Sequence, residues 1–164
     1  MSAADVPDAG EIVLAADAAP AGMEFDGTGE GTDALTEVVI SGRDAEFLEL
    51  GGFVDGHVRT FSGDAGLVLS LALVFDDAAH ARTAFELFLD ELESDTGYGL
   101  DDGRASDWGD EGTCATGTVP TPVGEETICV WRTGPVVLAI GGAMDPDRFE
   151  EIGAGMDRRA AGTP

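Results

Sequence analysis

The most regular stretch of the chain is residues 67–75, LVLSLALVF, in which large and small apolar side chains alternate. Successive side chains of a strand point to opposite faces. Leu67, Leu69, Leu71, Leu73 and Phe75 therefore share one face, and Val68, Ser70, Ala72 and Val74 the other. A strand apolar on both faces is expected at the centre of a sheet, covered by helices. The period then changes. Over residues 78–93, Ala78, Ala81, Phe85, Phe88, Leu89 and Leu92 recur every three or four positions. That spacing makes one buried helical stripe, with Asp76 or Asp77 as the N-cap.

Residues 113–141 (TCATGTVPTPVGEETICVWRTGPVVLAIG) read as three short strands joined by two tight turns. Pairing Cys114 with Cys129 aligns Thr116 with Thr127, Thr118 with Glu125 and Val119 with Gly124. The remaining residues 120–123 then form a hairpin loop of common length. Directly opposed strand residues bring their Cβ atoms to the ~3.5–4.5 Å that a disulfide needs. The alternative is two buried free thiols at a coincidental spacing. Asp145 and Pro146 are an N-cap and a first helical residue. The helix they open buries Phe149, Ile152 and Met156, and Arg158 and Arg159 suit its negative end.

Upstream the pattern is looser. Residues 53–61 (FVDGHVRTF) read as a strand with Phe53, His57 and Phe61 on one face, and residues 62–66 as a hairpin loop. Residues 11–15 (EIVLA) read as a first strand, ended by a turn at residues 20–22. Residues 35–40 suit a strand or a helix start, and Ser41 with Asp44 a helix-start pair. Residues 44–50 are helical in composition, with Gly51-Gly52 as the stop. The order is β-α-β-β-α-β-β-β-α. It predicts an α+β class: a mostly antiparallel sheet of about five to six strands, three helices packed on it, and a C-terminal meander followed by a helix. Residues 1–10 read as a flexible tail and residues 11–160 as one domain.

Composition narrows the function classes. At 164 residues the chain is long enough to bury a real core. It has no apolar run long enough to span a membrane and no visible signal peptide. The opening MSAADVPDAG would suit the tether of an exported protein, with a lipid anchor upstream, or an ordinary frayed terminus. Thirty-three acidic residues face eight basic ones, all Arg, for a net charge of −25. That charge repels phosphate backbones and anionic lipid, so nucleic acid is not an expected partner and the domain itself is not expected to insert in a membrane. Acid excess without lysine, beside abundant Ala, Gly, Val and Thr, suggests a high-GC source adapted to salt. At molar salt the Debye length shrinks to ~3 Å and self-repulsion falls.

No catalytic constellation stands out, and no cofactor is expected. His57 and His80 have no ligand spacing between them. If the cysteines are bridged no thiolate remains for zinc, so no metal ligands are assigned. Residues 26–33 (DGTGEGTD) align loosely with a calcium loop, with Asp26, Thr28 and Glu30 at positions one, three and five and Glu37 at twelve. Thr28 is a weak ligand and no helix precedes it, so an acidic turn is the better reading. There is no Gly-x-Ser-x-Gly, although a Ser-His-acid triad assembled in space stays open. Residues 94–112 form a long Gly/Asp loop with Tyr98 and Trp108, and loops of this length are functional or disordered. A ligand is expected to touch Tyr98, Trp108, Asp110, Glu111 and Arg132; anchoring of Trp108 in the core is the competing role. By alternation Arg132 shares a face with Ile128 and Val130, opposite Cys129 and Trp131, where it would orient an anion or form a rim salt bridge.

Four stretches together resemble small exported domains and lipoproteins of high-GC actinobacteria, including sensor-like domains outside the membrane. They are Pro20-Ala21-Gly22, LGGFVDGHVRTF at residues 50–61, Trp108-Gly109-Asp110-Glu111, and Trp131-Arg132-Thr133-Gly134 entering an apolar strand. In such proteins the second turn of the strand pair reads Arg-x-Gly-Asn; here Pro135 replaces the Asn. The resemblance implies an extracytoplasmic, non-enzymatic module that binds a small ligand or a partner protein. An intracellular enzyme or enzyme subunit of a salt-adapted organism is the alternative.

Overall fold

A computed structural model describes residues 6–31, 51–64, 66–95, 104–105, 107–117 and 126–162. In chain order the elements are α1 (Ala9–Ile12), β1 (Met23–Glu30), β2 (Phe53–Gly63), β3 (Gly66–Phe75), α2 (Ala78–Asp95), β4 (Arg104–Ala105), β5 (Glu111–Gly117), β6 (Glu126–Thr133), β7 (Val136–Gly142) and α3 (Pro146–Ala160). The strands form one antiparallel sheet in the order β1-β2-β3-β7-β6-β5-β4. After β3 the chain crosses through α2 to the far edge and returns as a meander, so that β7 lands beside β3.

The alternation in β3 is realised. Val68, Ala72 and Val74 point into one apolar layer with Phe61, Trp131, Leu138, Ile140, Phe149, Ile152 and Met156, under α1 and α3. Leu71, Leu73 and Phe75 point into the other with Val58, Val130 and Val137, under Phe85, Phe88 and Leu92 of α2. The stripe of α2 and the start of α3 also stand as the sequence implies. Asp77 Oδ1 accepts from His80 N at 2.8 Å, so Asp77 is the cap of α2. Asp145 Oδ1 accepts from Asp147 N and Arg148 N at 3.0 and 3.3 Å. Cys114 opposes Cys129 and Thr116 opposes Thr127 in the β5–β6 register, and the two cysteines form a disulfide.

Three expectations are corrected. Residues 11–15 do not form a strand. Asp8 caps a single helical turn, α1, accepting from Gly10 N at 2.8 Å, and Ala9 and Ile12 are buried. Residues 26–30 are not a loop but the end of edge strand β1, whose outward positions leave most of it exposed and so give no apolar alternation. An extended strand cannot wrap Asp26, Thr28 and Glu30 around one cation. Phe53 does not share a face with His57 and Phe61: a bulge between Phe53 and Asp55 turns it to the α2 side, while Phe61 lies in the other layer. The long loop is also shorter than its composition suggests. Residues 104–105 pair with Thr113 and Cys114, and Glu111 and Gly112 already belong to β5. The strand or helix expected at 35–40, the helix at 44–50, the pairs Thr118–Glu125 and Val119–Gly124, and the loop 120–123 lie outside the described residues.

Residues 12–18 run as a strap over the α1–α3 layer, and arginines fasten it. Arg159 donates through Nε and Nη2 to Ile12 O at 2.9 and 2.6 Å. Arg59 Nη1 donates to Leu14 O at 3.1 Å and Arg148 Nη2 to Ala18 O at 3.4 Å. From inside, Leu14 N donates to the buried Ser70 Oγ at 2.9 Å. The Ser70 bond serves a buried amide, while the arginines serve half-buried carbonyls of the strap.

Candidate functional site

The approach to β5 meets the β6–β7 turn, and three of the residues singled out by sequence, Asp110, Glu111 and Arg132, come together there. Glu111 is the register partner of Arg132, so both project toward the α2 layer. Arg132 Nε donates to Glu111 Oε1 at 2.7 Å, and its Nη1 donates to Gly134 O at 2.8 Å. Asp110 Oδ2 lies 3.1 Å from Nη1 and accepts from Gly134 N at 2.9 Å, while Asp110 N donates to Arg132 O at 2.8 Å. Arg82, from α2, donates Nε to Glu111 Oε1 at 3.1 Å. The Arg132 side chain is only 6% exposed, whereas that of Arg82 is 58% exposed. The bond from Arg132 holds the Glu111 pKa below its ordinary value; burial opposes this and the bond from Arg82 adds to it.

Chemically this is a closed brace of two cations and two carboxylates. Arg132 has its charge answered on two sides, so it locks the turn and the start of β5 together. Arg82 is different: its guanidinium reaches solvent at the outer rim of the brace. The sequence names Asp110, Glu111 and Arg132 as separate candidates, without their mutual contact, and does not single out Arg82. Nothing in the period of α2 distinguishes that residue from any other polar position on its outer face.

Trp108 stands behind the brace on the opposite side of the sheet. It is buried in the α1–α3 layer, 4.9 Å from Trp131 and 6.5 Å from Phe149 between ring centroids. Its six-membered ring rests on Gly153 of α3, where any Cβ would collide with it. Gly109 then turns the chain with φ +71°, and a Cβ there would strike Arg132 O. Four consecutive residues thus cross the edge of the sheet, from a core anchor at Trp108 to the brace at Asp110 and Glu111. Trp108 takes the anchoring role and offers no contact surface. Tyr98 lies outside the described residues.

The two histidines, which show no ligand spacing in the sequence, sit on different elements, His57 on β2 and His80 on α2. His80 Nδ1 donates to Asp76 Oδ1 at 2.6 Å and stands 3.3 Å from Asp77 Oδ1. The bond to Asp76 raises its pKa. Asp76, Asp77 and His80 have the ligand types of a cation site, with all three atoms within 4.8 Å of one another. Each is already engaged in closing the first turn of α2.

His57 is 7% exposed, with Nε2 2.8 Å from Thr28 Oγ1 and Nδ1 3.9 Å from Glu30 Oε1. A hydroxyl, an imidazole and a carboxylate in line resemble a nucleophile triad, but the proton is in the wrong place. Thr28 Oγ1 donates to Val58 O at 3.0 Å, and a carbonyl can only accept. The hydroxyl therefore accepts from His57 Nε2–H, leaving no base to activate it.

No family model matches the chain, and no curated protein matches it. Among solved structures, the crystal structure of the extracellular domain of PknH from Mycobacterium tuberculosis superposes with a TM-score of 0.61 at 13% sequence identity. The match covers 94% of this chain and 97% of that one. The two share a fold. The likeness spans both halves of the sheet, and at this identity it concerns architecture and not side-chain chemistry. No helix among the described residues is long and apolar enough to cross a membrane.

Proposed function

We propose that this chain is an extracytoplasmic, non-enzymatic module that binds a small ligand or a partner protein. The observation that carries this reading is a disulfide in the core of a fold shared with an extracellular domain. Disulfides persist in oxidising compartments and are reduced in ordinary cytosols. Among the described residues, His80 Nδ1 and His57 Nε2 are engaged in structural hydrogen bonds, which supports a binding role.

The contact surface in this reading is the outer rim of the brace, formed by Arg82, Asp110 and Glu111, with Tyr98, outside the described residues, as a further proposed contact. Loops on a rigid base are where binding usually resides, and here the base is the disulfide-linked β5–β6 pair with Trp108 rooted beneath it. A ligand carrying a carboxylate or phosphate would find the exposed guanidinium of Arg82, with Arg132 too enclosed to reach it. The acidic remainder of the surface is a solvated coat of the salt-adapted kind.

Two measurements test the reading separately. Protein exported by its native host is alkylated without reductant and analysed by mass spectrometry. Unmodified Cys114 and Cys129 are expected, and two modified cysteines would remove the extracytoplasmic placement. For binding, residues 96–103 are replaced by a Gly/Ser linker, which leaves Trp108 in its seat. A folded variant that retains every ligand co-purifying with the natural chain would remove this loop from the site.

A further inference from the structure

His57 is a buried titratable group to which the proposed binding reading gives no role, and its surroundings point to one. The ring is fixed at Nε2 by Thr28, as the hydrogen-bond directions require. In the neutral ring Nδ1 is then a bare lone pair. What faces that nitrogen is Gly10 of α1: a Cβ placed at Gly10 would stand 3.1 Å from Nδ1 and 3.3 Å from Cε1. The first turn of α1 thus lies directly on the protonatable edge of the ring, so close that a Cβ at residue 10 would press on it.

We propose that His57 makes the docking of α1 and the following strap proton-sensitive, so that proton uptake at Nδ1 releases residues 9–14 from the sheet.

Proton uptake converts Nδ1 from a lone pair into a donor, and among the described residues no acceptor stands within hydrogen-bond distance of it. Asp8, at the start of α1, already accepts from Gly10 N. Glu30 of β1 is 3.9 Å away with a side chain 74% exposed, and Asp55 of β2 is a further acid acting on the ring. Against these three carboxylates stands Arg59, on the same strand, whose guanidinium holds Leu14 O. A positive ring is repelled by the group that fastens the strap, so charging His57 acts on α1 by contact and on Leu14 through Arg59.

The balance favours opening. Burial, and then the charge of Arg59, lower the His57 pKa from its ordinary 6.5, outweighing Glu30, Asp55 and Asp8, which raise it. The docked state therefore binds fewer protons than an opened state in which the ring meets water. Docking is at full strength above about pH 6.5 and weakens as pH falls below that value toward the docked pKa. The inference is independent of where a ligand binds or which compartment holds the chain.

Amide hydrogen exchange on the peptide spanning residues 6–19 tests it, at about pH 8 and about pH 5, the two sides of the ordinary histidine range. Rates are corrected for the intrinsic pH dependence of exchange. In the natural chain, protection at residues 9–14, including the Leu14 amide bonded to Ser70, should fall several-fold on acidification. His57→Gln keeps a side-chain donor toward Thr28 but cannot titrate, and should hold protection constant. An equal fall in His57→Gln would overturn the proposal. If that variant does not fold, the natural chain is titrated by NMR with His80→Asn to assign the two ring signals. His57 should then titrate below His80, and titration at or above the ordinary value would overturn it.

Discussion

The two halves of the sheet are held by the same residue type used in opposite ways. In the meander, β5 to β7, Arg132 is enclosed and answers two carboxylates, Glu111 and Asp110. In the other half, Arg59, Arg148 and Arg159 reach across the strap to the carbonyls of Leu14, Ala18 and Ile12. A carboxylate left without its arginine keeps a charge in a half-buried place. A carbonyl left without one loses a bond that water can replace at the surface. The chain has only eight basic residues among thirty-three acids, so the placing of each arginine decides which segments stay closed and which stay adjustable.

The sharpest way to break the contrast is Arg132→Ala. It leaves the Gly134 carbonyl without its donor and Glu111 with only the exposed Arg82, and should cost about 3 kcal/mol, for two charge-assisted hydrogen bonds of about 1.5 kcal/mol each. Urea unfolding followed by circular dichroism gives the value. Arg82→Ala, on the exposed rim of the same brace, should cost less than about 0.5 kcal/mol. The pair also differs in pH response. Because Arg132 lowers the Glu111 pKa, the brace contributes fully above the ordinary value of 4.5 and fades as pH falls below it. Arg132→Ala should remove most of that acid-side loss. Equal costs for the two arginines would show that enclosure does not set the difference.

Of similar size is the disulfide. It spans a sequence separation of 15 residues, for which loop-closure entropy gives about 3 kcal/mol. Cys114→Ala with Cys129→Ala should lower the urea midpoint accordingly, with little change in the exchange of residues 9–14. A loss of protection that spread into the strap would mean that the two halves do not open independently.

Gly153→Ala should cost about 2 kcal/mol by overpacking against the Trp108 ring. Trp108 sits beside Trp131 in the core, so its displacement should also shift the tryptophan emission toward the red. An unchanged spectrum would place the strain elsewhere in α3. The smallest effect is expected in the strap, where Arg159→Ala should cost on the order of 1 kcal/mol. It should appear mainly as faster exchange of residues 9–14, with global unfolding almost unmoved.

The parts of this fold legible in the sequence are those where burial imposes a period. β3 is covered on both faces from Val68 onward, and its large-small alternation places those residues in the layers they occupy, while Leu67 at its start is exposed. The Cys114–Cys129 register followed from a pleat in which opposed positions must meet. Elements whose contacts are few or local escaped. β1 buries little of its length, so DGTGE carries no alternation and reads as a loop. α1 is one turn long, too short for a helical period, and its IVL run imitates a strand; only Asp8, as a cap, marks it. A single bulged residue at Val54 inverted the face assigned to Phe53. Within the candidate site, the sequence marks Asp110 and Glu111 only as acids of the long loop and Arg132 only as the basic residue of the meander; their meeting comes from the strand register. Arg82 and the seat of Trp108 on Gly153 are not marked at all, since both arise from helices packing across the sheet, and neither packing leaves a mark in local sequence.

The seam between β3 and β7 has a bearing on how the molecule assembles. Each flanking pair, β2–β3 and β6–β7, is a hairpin closed by a tight turn, and such local pairs form within microseconds. The seam instead joins Val68 to Gly142 and Val74 to Val136, so its ends must find each other across α2 and most of the meander. Closure over that length carries an entropic penalty before any contact rewards it, which makes the seam the natural rate-limiting event. The disulfide lies wholly on one side of it. Oxidation therefore stiffens the meander early. Because residues 114–129 lie within the stretch that the seam has to span, it also shortens the loop that must close.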